Sequence, residues 1–447
     1  MNDILIKNAL IVNEGKIFEG DVHIVDEYIA EINSSISVKS SKTRVIDAEG
    51  KLLIPGVIDD QVHFREPGLT HKATIASESK AAVAGGVTSF IEMPNTIPQA
   101  TSINLVEDKF EIASKTSYAN YSFMIGGTNT NIEELLKADP KKIAAIKLFL
   151  GSSTGNMLVD DEKALTAIFK SAKMLIVAHC EDEKTITKNL EFYKNKYGDD
   201  IPIKCHPLIR SEEACFISSS KAVALAKKTG ARLHVFHIST AKEAEKLFSN
   251  KKLIDKKITA EVCVHHLWFD DSDYEKKGTL IKWNPAIKTK ADKEGLLHAL
   301  LNDKIDIIAT DHAPHTLVEK QQVYTKAPSG GPLVQHGLLA MIELHKKGLI
   351  SLEKIVEKMC HNPAILFQIE KRGFIKEGYF ADLTLVDLSA LQSVTKDTIL
   401  YQCKWSPFEG ITFTSKVTHT FINGQLIYNK GVFNESLKGK RLTFNRP

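Results

Sequence analysis

Side chains with metal-binding chemistry stand at the ends of apolar, strand-like runs in this sequence. The run MLIVA ends in His179, RLHVF ends in His237, IDIIAT is followed by Asp311, and His63 comes shortly after the first run. Imidazoles and a carboxylate gathered at one end of several strands suit zinc or a similar divalent ion. A single histidine of this kind is more often a hydrogen-bonded core residue, so the prediction of a metal site depends on the whole set.

Lys147 lies within the apolar run IAAIKLFL, where a lone ammonium is costly to bury. A salt bridge is one solution. The other is chemical, because a neutral amine can add carbon dioxide and become a carbamate, whose two oxygens can bridge two metal ions. Two ions about 3.5–4 Å apart can activate water and polarise a carbonyl group. The pattern therefore favours a centre of one or two metal ions around Lys147.

The alternation of side chains along an extended strand predicts which of them point in the same direction. Four polar residues follow the first apolar run with the same parity: Asp59, Gln61, His63 and Arg65. In an extended chain they point to one side. His234 and His237 have opposite parity, so we expect His234 to face the helices. Cys180 is adjacent to His179, so it points away from the site and is interpreted as a packing thiol.

Eight apolar runs alternate with amphipathic, helix-like segments through the middle of the chain. They cover residues 52–58, 87–93, 118–124, 143–150, 174–179, 232–237, 258–264 and 305–310. Repeated βα units predict a parallel sheet, and eight of them predict a (β/α)8 TIM barrel, whose chemistry lies where strands end and loops begin. An open doubly wound sheet is the alternative, but the glycine fingerprints of its nucleotide-binding form are absent.

Both ends of the chain consist of short alternating strands separated by Gly and Asn. We expect these ends to meet in one small β-sandwich domain, formed by residues 1–52 and 375–447. The α/β barrel would then occupy residues 53–374.

Composition excludes several classes of protein. The 447 residues are 43% hydrophobic and 25% charged, and 58 basic against 55 acidic residues give a net charge of +3, so neither nucleic acid nor a membrane surface is an expected partner. No apolar run approaches the roughly 18 residues of a membrane span, and the N-terminus lacks the features of a signal peptide. Six scattered cysteines without a CxxC pair favour free thiols in the cytoplasm.

Eight segments carry more specific motifs. They are IPGVIDDQVHFREPG (54–68), GGVTSFIEMPNT (85–96), IKLFLGSSTGNMLVDD (146–161), AHCED (178–182), FHIST (236–240), WNPAIK (283–288), ATDHAPH (309–315) and APSGGP (327–332). Together they resemble the amidohydrolase superfamily and, within it, the dihydroorotases. The resemblance spans almost the whole chain, and the combination of HFREPG, MPNT and DHAPH is specific. It implies a zinc enzyme of pyrimidine synthesis that interconverts dihydroorotate and N-carbamoyl-aspartate.

The resemblance implies a role for each matching residue. The implied metal ligands are His63, Lys147, His179, His237 and Asp311. Lys147 corresponds to a carboxylated lysine that bridges two ions, with His179 and His237 on one ion and His63 and Asp311 on the other. Asp311 also corresponds to the general acid and base. The implied substrate-binding residues are Arg65, Asn95 and His315 for the carboxylate, and Asn284, Ser329 and Gly330 for the ring.

Gln61 departs from the family pattern. The first strand of these enzymes usually ends in HxH, with both histidines on metal, and Gln61 replaces the first of them. An amide oxygen is a weaker zinc ligand than imidazole. One or two zinc ions are therefore expected, and the second site is weak, altered or empty. His265 and His266 end the seventh run, but the resemblance does not make them ligands, and they are interpreted as structural.

Three functions stay open on the sequence alone. A carboxylate clamp built on Arg65 favours a dihydroorotase, because arginine binds carboxylates with two hydrogen bonds. An allantoinase- or hydantoinase-type enzyme needs no such clamp. A non-catalytic scaffold that resembles dihydroorotase and binds aspartate transcarbamoylase is the alternative from another class. The resemblance also implies a homodimer, with aspartate transcarbamoylase as a candidate partner. The polar loop 316–332 is expected to close over the substrate.

Overall fold

The computed structural model describes residues 2–38, 40–151 and 157–446, so residues 152–156 of the motif IKLFLGSSTGNMLVDD lie outside the described residues. The chain begins with five strands, β1 (Asp3–Asn13), β2 (Lys16–Val25), β3 (Tyr28–Asn33), β4 (Arg44–Asp47) and β5 (Leu52–Pro55). Strand β1 pairs antiparallel with β2 and parallel with β4 and β5. The predicted run 52–58 is therefore divided, because its first residues belong to this sheet and not to the barrel.

The barrel strands follow in chain order. They are β6 (Val57–Val62), β7 (Val87–Glu92), β8 (Asn120–Phe123), β9 (Ile125–Gly126), β10 (Ile146–Leu150), β11 (Ile176–Cys180), β12 (Leu233–Val235), β13 (Ile258–Cys263) and β14 (Ile307–Ala309). Neighbours pair in parallel within β6–β8 and within β9–β14. A parallel bridge between Val62 and His312 closes the ring. With β8 and β9 counted as one strand interrupted at Met124, eight strands form the predicted (β/α)8 barrel, which is confirmed.

Helices surround the barrel strands. They are α1 (Ile75–Ala84), α2 (Ile103–Thr116), α3 (Ile132–Lys137), α4 (Glu162–Ser171), α5 (Glu183–Tyr197), α6 (His206–Ile209), α7 (Glu212–Thr229), α8 (Ala241–Leu247), α9 (Val264–Trp268), α10 (Tyr274–Lys277), α11 (Lys290–Leu301), α12 (Leu317–Lys320), α13 (Gly337–Lys346), α14 (Leu352–Val356) and α15 (Asn362–Phe367). Side-chain caps such as Thr74, Asp182 and Ser211 start them by accepting from backbone N–H groups. None of the helices in the described ranges has the length and apolar character of a membrane span.

Four C-terminal strands complete the first sheet: β15 (Leu383–Asp387), β18 (Lys416–Ile422), β19 (Gln425–Asn429) and β20 (Val432–Phe433). Between β15 and β18, β16 (Gln392–Ser393) and β17 (Thr412–Phe413) pair with each other in a separate two-stranded sheet. Strand β15 pairs antiparallel with both β5 and β18, which gives the order β20-β19-β18-β15-β5-β1-β2-β3. The two chain ends thus share one sheet, as predicted. The domain bounds 1–52, 53–374 and 375–447 stay a prediction.

The amino end of the barrel is closed by apolar side chains and by the end of the chain. Ile91, Val177 and Phe236 share a buried cluster with Leu442 and Phe444 of the C-terminal segment. Burial of this apolar surface stabilises the amino end of the barrel. The open cavity is therefore expected at the opposite end, where the carboxyl termini of the strands lie.

Candidate active site

Every site residue predicted from the sequence lines one cavity of about 260 Å³ at the carboxyl end of the barrel. These residues are Gln61, His63, Arg65, Asn95, Lys147, His179, His237, Asn284, Asp311, His315, Ser329 and Gly330. A larger groove of about 850 Å³ lies beside α4, α5 and α7 but contains none of them. Convergent polar groups therefore identify the candidate site, whereas size does not. The individual roles stay predictions.

His179 and His237 bring two imidazole nitrogens face to face. His179 Nδ1 lies 2.9 Å from His237 Nε2, and His237 Nδ1 is buried without a hydrogen-bond partner among the described residues. Glu181 Oε2 lies 3.0 Å from His179 Nε2. Burial opposes the ionisation of Glu181, but Arg210 and His179 outweigh it and lower its pKa to about 2. A carboxylate this close to Nε2 favours the tautomer with the proton on Nε2, which leaves Nδ1 with the lone pair that a metal ligand requires.

His63 and Asp311 form a second pair on the other side of the cavity. His63 Nδ1 lies 2.8 Å from Asn95 Oδ1, which can only accept, so Nδ1 carries the proton. His63 Nε2 then presents a lone pair to Asp311 Oδ1 at 3.1 Å. Burial lowers the pKa of His63 and favours the neutral ring. Two electron-rich atoms so close together suit ligands of a shared cation, and so do the two facing imidazoles of the first pair.

The Lys147 amine lies inside the barrel, 4.0 Å from the centroid of the Phe236 ring, and the residue is 1% exposed. Burial lowers its pKa to about 7, although Glu261 and Asp311 oppose the shift. Near neutral pH a large share of the amine is therefore uncharged. The uncharged amine is the form that adds carbon dioxide. Carboxylation of Lys147 stays a prediction.

Gln61 lines the cavity, yet its side chain has a partner outside the two pairs. The Cys263 thiol donates to Gln61 Oε1 over 3.5 Å. Cys263 ends β13, and His265 and His266 follow in α9. One ligand atom from each of these three lies within 4.8 Å of the others. The sequence interpretation treats both histidines as structural and does not predict this group.

The parity argument fails in part along β6. The register of β6 against β7 shifts twice, and Asp59 accepts from Thr310 Oγ1 at 2.5 Å instead of lining the cavity. Asp60 enters the barrel, where its Oδ2 lies 3.6 Å from His234 Nε2. Because β6 and β12 are not neighbours, this contact crosses the interior, and the prediction that His234 faces the helices is wrong. Glu261 joins these two residues in a second buried group.

Arg65 and His315, which are predicted to hold the carboxylate, lie side by side in the cavity, and this role stays a prediction. Arg65 is 7% exposed, and its Nε donates to the Pro314 carbonyl over 3.0 Å. Burial lowers the pKa of Arg65 to about 10, so the guanidinium stays charged at neutral pH. The Lys72 ammonium donates to His315 Nδ1 over 3.0 Å. His315 Nε2 lies 3.0 Å from the Ser329 carbonyl, which can only accept, and 3.1 Å from Arg65 Nη2, which can only donate.

The wall predicted to contact the ring differs in detail from the expectation. Asn284 Oδ1 is buried without a hydrogen-bond partner among the described residues. The Gly330 N–H already donates to the Lys282 carbonyl over 2.8 Å, and its carbonyl accepts from Lys320 Nζ over 2.7 Å. At φ +125° a Cβ on Gly330 would lie 2.5 Å from the Ala313 carbonyl oxygen. Gly330 thus permits close approach, and its N–H is not available to the ring.

Two buried lysines hold the loop 316–332 against the barrel. Lys320 donates to the Gly330 carbonyl, and Lys282 Nζ donates to the Tyr324 carbonyl over 2.7 Å. Burial lowers the pKa of Lys282 to about 8. These bonds to backbone carbonyls hold the loop against the barrel. Its closure over a substrate stays a prediction.

Three of the candidate residues have left-handed backbone conformations. The φ angles are +67° for Arg65, +39° for His237 and +46° for Asp311. Such conformations cost non-glycine residues about 1–3 kcal/mol each and concentrate at functional sites. The backbone at these strand ends is therefore held in place by its surroundings, which fixes where the side chains point.

Sequence reasoning missed three residues of the site. Glu181 supports His179, Lys72 orients His315, and Trp283 lines the cavity while stacking on His265 at 4.4 Å. Glu181 follows His179 by two positions within AHCED, so its parity could have indicated it. Lys72 and Trp283 stand in irregular segments, where spacing carries no such signal.

Comparison with known proteins agrees with this geometry. The family model described as "Amidohydrolase family" matches residues 52–427. A dihydroorotase of Staphylococcus epidermidis is 33% identical over 437 residues, which cover 95% of this chain and 99% of that protein. A dihydroorotase of Carboxydothermus hydrogenoformans is 36% identical and covers 96% and 98%. The solved structure of an L-hydantoinase (dihydropyrimidinase) from Arthrobacter aurescens superposes with a TM-score of 0.91 at 28% identity over 97% of each chain.

Proposed function

The chain belongs to the amidohydrolase family, and we propose that it is a dihydroorotase. It hydrolyses the cyclic amide of dihydroorotate to N-carbamoyl-aspartate and catalyses the reverse ring closure. The observation that carries this proposal is the cationic Arg65 clamp in the same small cavity as two facing pairs of metal-ligand atoms. A ring substrate that bears a carboxylate matches both features.

The residues present fit a divalent metal. His179 and His237 would hold one ion, and His63 with Asp311 would hold another, with Lys147 as a carbamate between them. Imidazole and carboxylate ligands in this number suit zinc, which is our proposed metal. When bound, the metal supplies Lewis acidity that polarises the ring carbonyl and makes water acidic.

Asp311 moves the proton in the proposed reaction. Its Oδ1 lies 3.1 Å from His63 Nε2, and the residue lines the cavity where the amide bond must lie. In hydrolysis its carboxylate takes a proton from the attacking water and delivers it to the ring nitrogen as the C–N bond breaks. Ring closure reverses these transfers. The left-handed backbone of Asp311 holds its carboxylate in position for both steps.

The clamp orients the substrate. The Arg65 guanidinium, fixed through its Nε, pairs with the substrate carboxylate, and Asn95 donates to the same group. His315 Nε2 exchanges its contact with the Ser329 carbonyl for one with that carboxylate. Asn284 Oδ1, buried without a partner among the described residues, accepts from a ring N–H. These contacts place the amide carbonyl against the metal ligands, and such positioning lowers the entropic part of the barrier.

Hydrolysis of a ring without a carboxylate is the second candidate function, because the L-hydantoinase structure is so similar in fold. The buried charge on Arg65 argues against it. Burying a guanidinium in a cavity without an anionic partner costs free energy, and binding a neutral ring cannot offset that cost.

Three finer assignments also belong to the proposal. All six cysteines are free thiols, which supports the cytoplasm as the compartment. A homodimer and contact with aspartate transcarbamoylase are supported by the family resemblance alone.

The test is a dihydroorotate hydrolysis assay on the zinc-loaded chain and on Asp311→Asn. We expect turnover by the unsubstituted chain and a loss of about 10³-fold or more in the variant, because an amide cannot accept and return the proton. Dihydroorotate should still bind to Asp311→Asn, which a calorimetric titration would show. Near-normal turnover in the variant would exclude this role, and hydrolysis of hydantoin or allantoin but not dihydroorotate would refute the proposed function.

A further inference from the structure

Beside the cavity lies a second group of soft and borderline ligand atoms. Cys263, His265 and His266 offer one sulfur and two nitrogen atoms, all within 4.8 Å of one another. All three residues are buried, with exposures of 0%, 0% and 3%. None of them lines the cavity of the proposed catalytic centre.

The two imidazoles carry unpaired polar atoms. His266 Nε2 lies 3.3 Å from the Pro285 carbonyl, which can only accept, so Nε2 is protonated and Nδ1 has the lone pair. His266 Nδ1 is buried without a hydrogen-bond partner, and neither ring nitrogen of His265 has a partner in hydrogen-bond geometry among the described residues. Orphaned polar atoms in a protein interior are costly unless something binds them. A backbone carbonyl on the far nitrogen is also how metal-binding histidines are usually oriented.

Gln61 reaches toward this group. Its Oε1 accepts from the Cys263 thiol over 3.5 Å, a separation that suits two ligands of one tetrahedral ion. The rings are fixed as well, because His265 stacks on Trp283 with centroids 4.4 Å apart. The group is therefore a rigid set of three ligand atoms, one sulfur and two nitrogens, with the Gln61 oxygen as a fourth ligand atom at its edge.

We propose that Cys263, His265 and His266 form a separate metal site, with Gln61 Oε1 as the fourth ligand, that binds one zinc-like ion. One thiolate and two imidazoles select zinc, cobalt or copper over magnesium, calcium or manganese. Binding releases the Cys263 thiol proton to solvent and forms the metal–sulfur bond. The site goes beyond the proposed function and explains why Gln61, which departs from the family pattern, faces a thiol.

The test uses the metal-free full chain titrated with Co²⁺, because a thiolate ligand gives cobalt a charge-transfer absorption band in the near ultraviolet. We expect the band in the unsubstituted chain and in Cys360→Ala, and its complete loss in Cys263→Ala together with one bound ion. Cys360 is a matched control, since its buried thiol donates to the Pro55 carbonyl away from this group. Absence of the band from the unsubstituted chain, or its persistence in Cys263→Ala, would overturn the proposal.

A second measurement decides the matter if Cys263→Ala does not fold. X-ray absorption at the zinc edge of the unsubstituted chain should show a sulfur neighbour at about 2.3 Å. Only nitrogen and oxygen neighbours would overturn the site. Dihydroorotate hydrolysis is measured on the same samples, so an active enzyme without a metal–sulfur bond rejects this site and leaves the proposed function standing.

Discussion

The cavity has two walls of opposite chemistry: one presents potential metal-ligand atoms, and the other presents a positively charged guanidinium. On the cation wall, formed by Lys147 and the pairs His179–His237 and His63–Asp311, potential metal-ligand atoms lie 2.9 and 3.1 Å apart within the two pairs. On the clamp wall, formed by Arg65 and His315, the polar atoms already have partners in Pro314, Lys72 and Ser329. In the proposed function the first wall binds a cation from outside the chain, whereas the second wall carries its own positive charge on Arg65 and binds an anionic substrate.

This difference shows how one small cavity can bind both a metal and a carboxylate. Imidazole and carboxylate groups gathered this closely suit a positive ion, so the cation wall is the side of the cavity proposed to bind metal. The clamp is ordered before substrate arrives, so little conformational entropy is lost on binding. Substitutions on one wall should therefore change metal binding, and substitutions on the other should change substrate selectivity.

The largest effect is expected on the cation wall for Lys147→Ala. Without the carbamate both pairs lose their shared ligand, so we expect loss of bound metal and a fall in turnover of about 10³-fold or more. A small carboxylic acid should restore part of the activity by replacing the carbamate oxygens. Metal analysis and the hydrolysis assay check this.

Lys358→Ala, which removes another buried lysine outside the cavity, should keep its metal. An unmodified Lys147 amine in a fully loaded, fully active protein would contradict the bridging role.

A smaller effect is expected for Glu181→Gln, which alters the support behind the cation wall. The carboxylate holds the His179 tautomer, and loss of such a partner usually weakens metal binding about 10–100-fold. Zinc titration by calorimetry should show this loss only for the ion held by His179 and His237, and not for the other ion. Arg210 would lose its buried partner, so thermal unfolding must accompany the titration. Unchanged affinity in a folded variant would show that Glu181 only pairs with Arg210.

The smallest effect is expected for Gln61→His, where the chain departs from the family pattern. An imidazole added to the pair His63–Asp311 should tighten the weaker ion about tenfold. In the unsubstituted chain the two ions of the catalytic centre, counted apart from an ion at Cys263, should bind with unequal affinity, and chelation should remove the weaker of these two first. Stepwise zinc titration of both proteins separates these cases. Two equally tight sites that the substitution does not change would mean that Gln61 has no part in this inequality.

The sequence predicted the elements better than the contacts between them. Strand ends and family motifs were sufficient to place His179, His237 and Asp311 in one cavity, because parallel strands of a barrel end on the same side. The parity argument failed at Asp59 and Asp60, because it assumes a regular strand and β6 shifts its register. Alternation along one strand cannot reveal such a shift.

Contacts across the barrel also could not be predicted from the sequence. The thiol of Cys263 meets Gln61 from a strand 202 positions away in the chain, and His234 meets Asp60 through the interior. Closure of the ring decides which side chains meet, and closure is a property of the whole fold.

The central claim is that this cavity is built for a ring that carries a carboxylate. The most direct test compares kcat/KM for dihydroorotate with that for dihydrouracil, the same ring without the carboxylate, in the unsubstituted chain and in Arg65→Met. We expect a strong preference for dihydroorotate, and a loss of about 2–5 kcal/mol in Arg65→Met that affects dihydroorotate far more than dihydrouracil. Equal rates on the two rings, or an equal loss on both in the variant, would contradict the account.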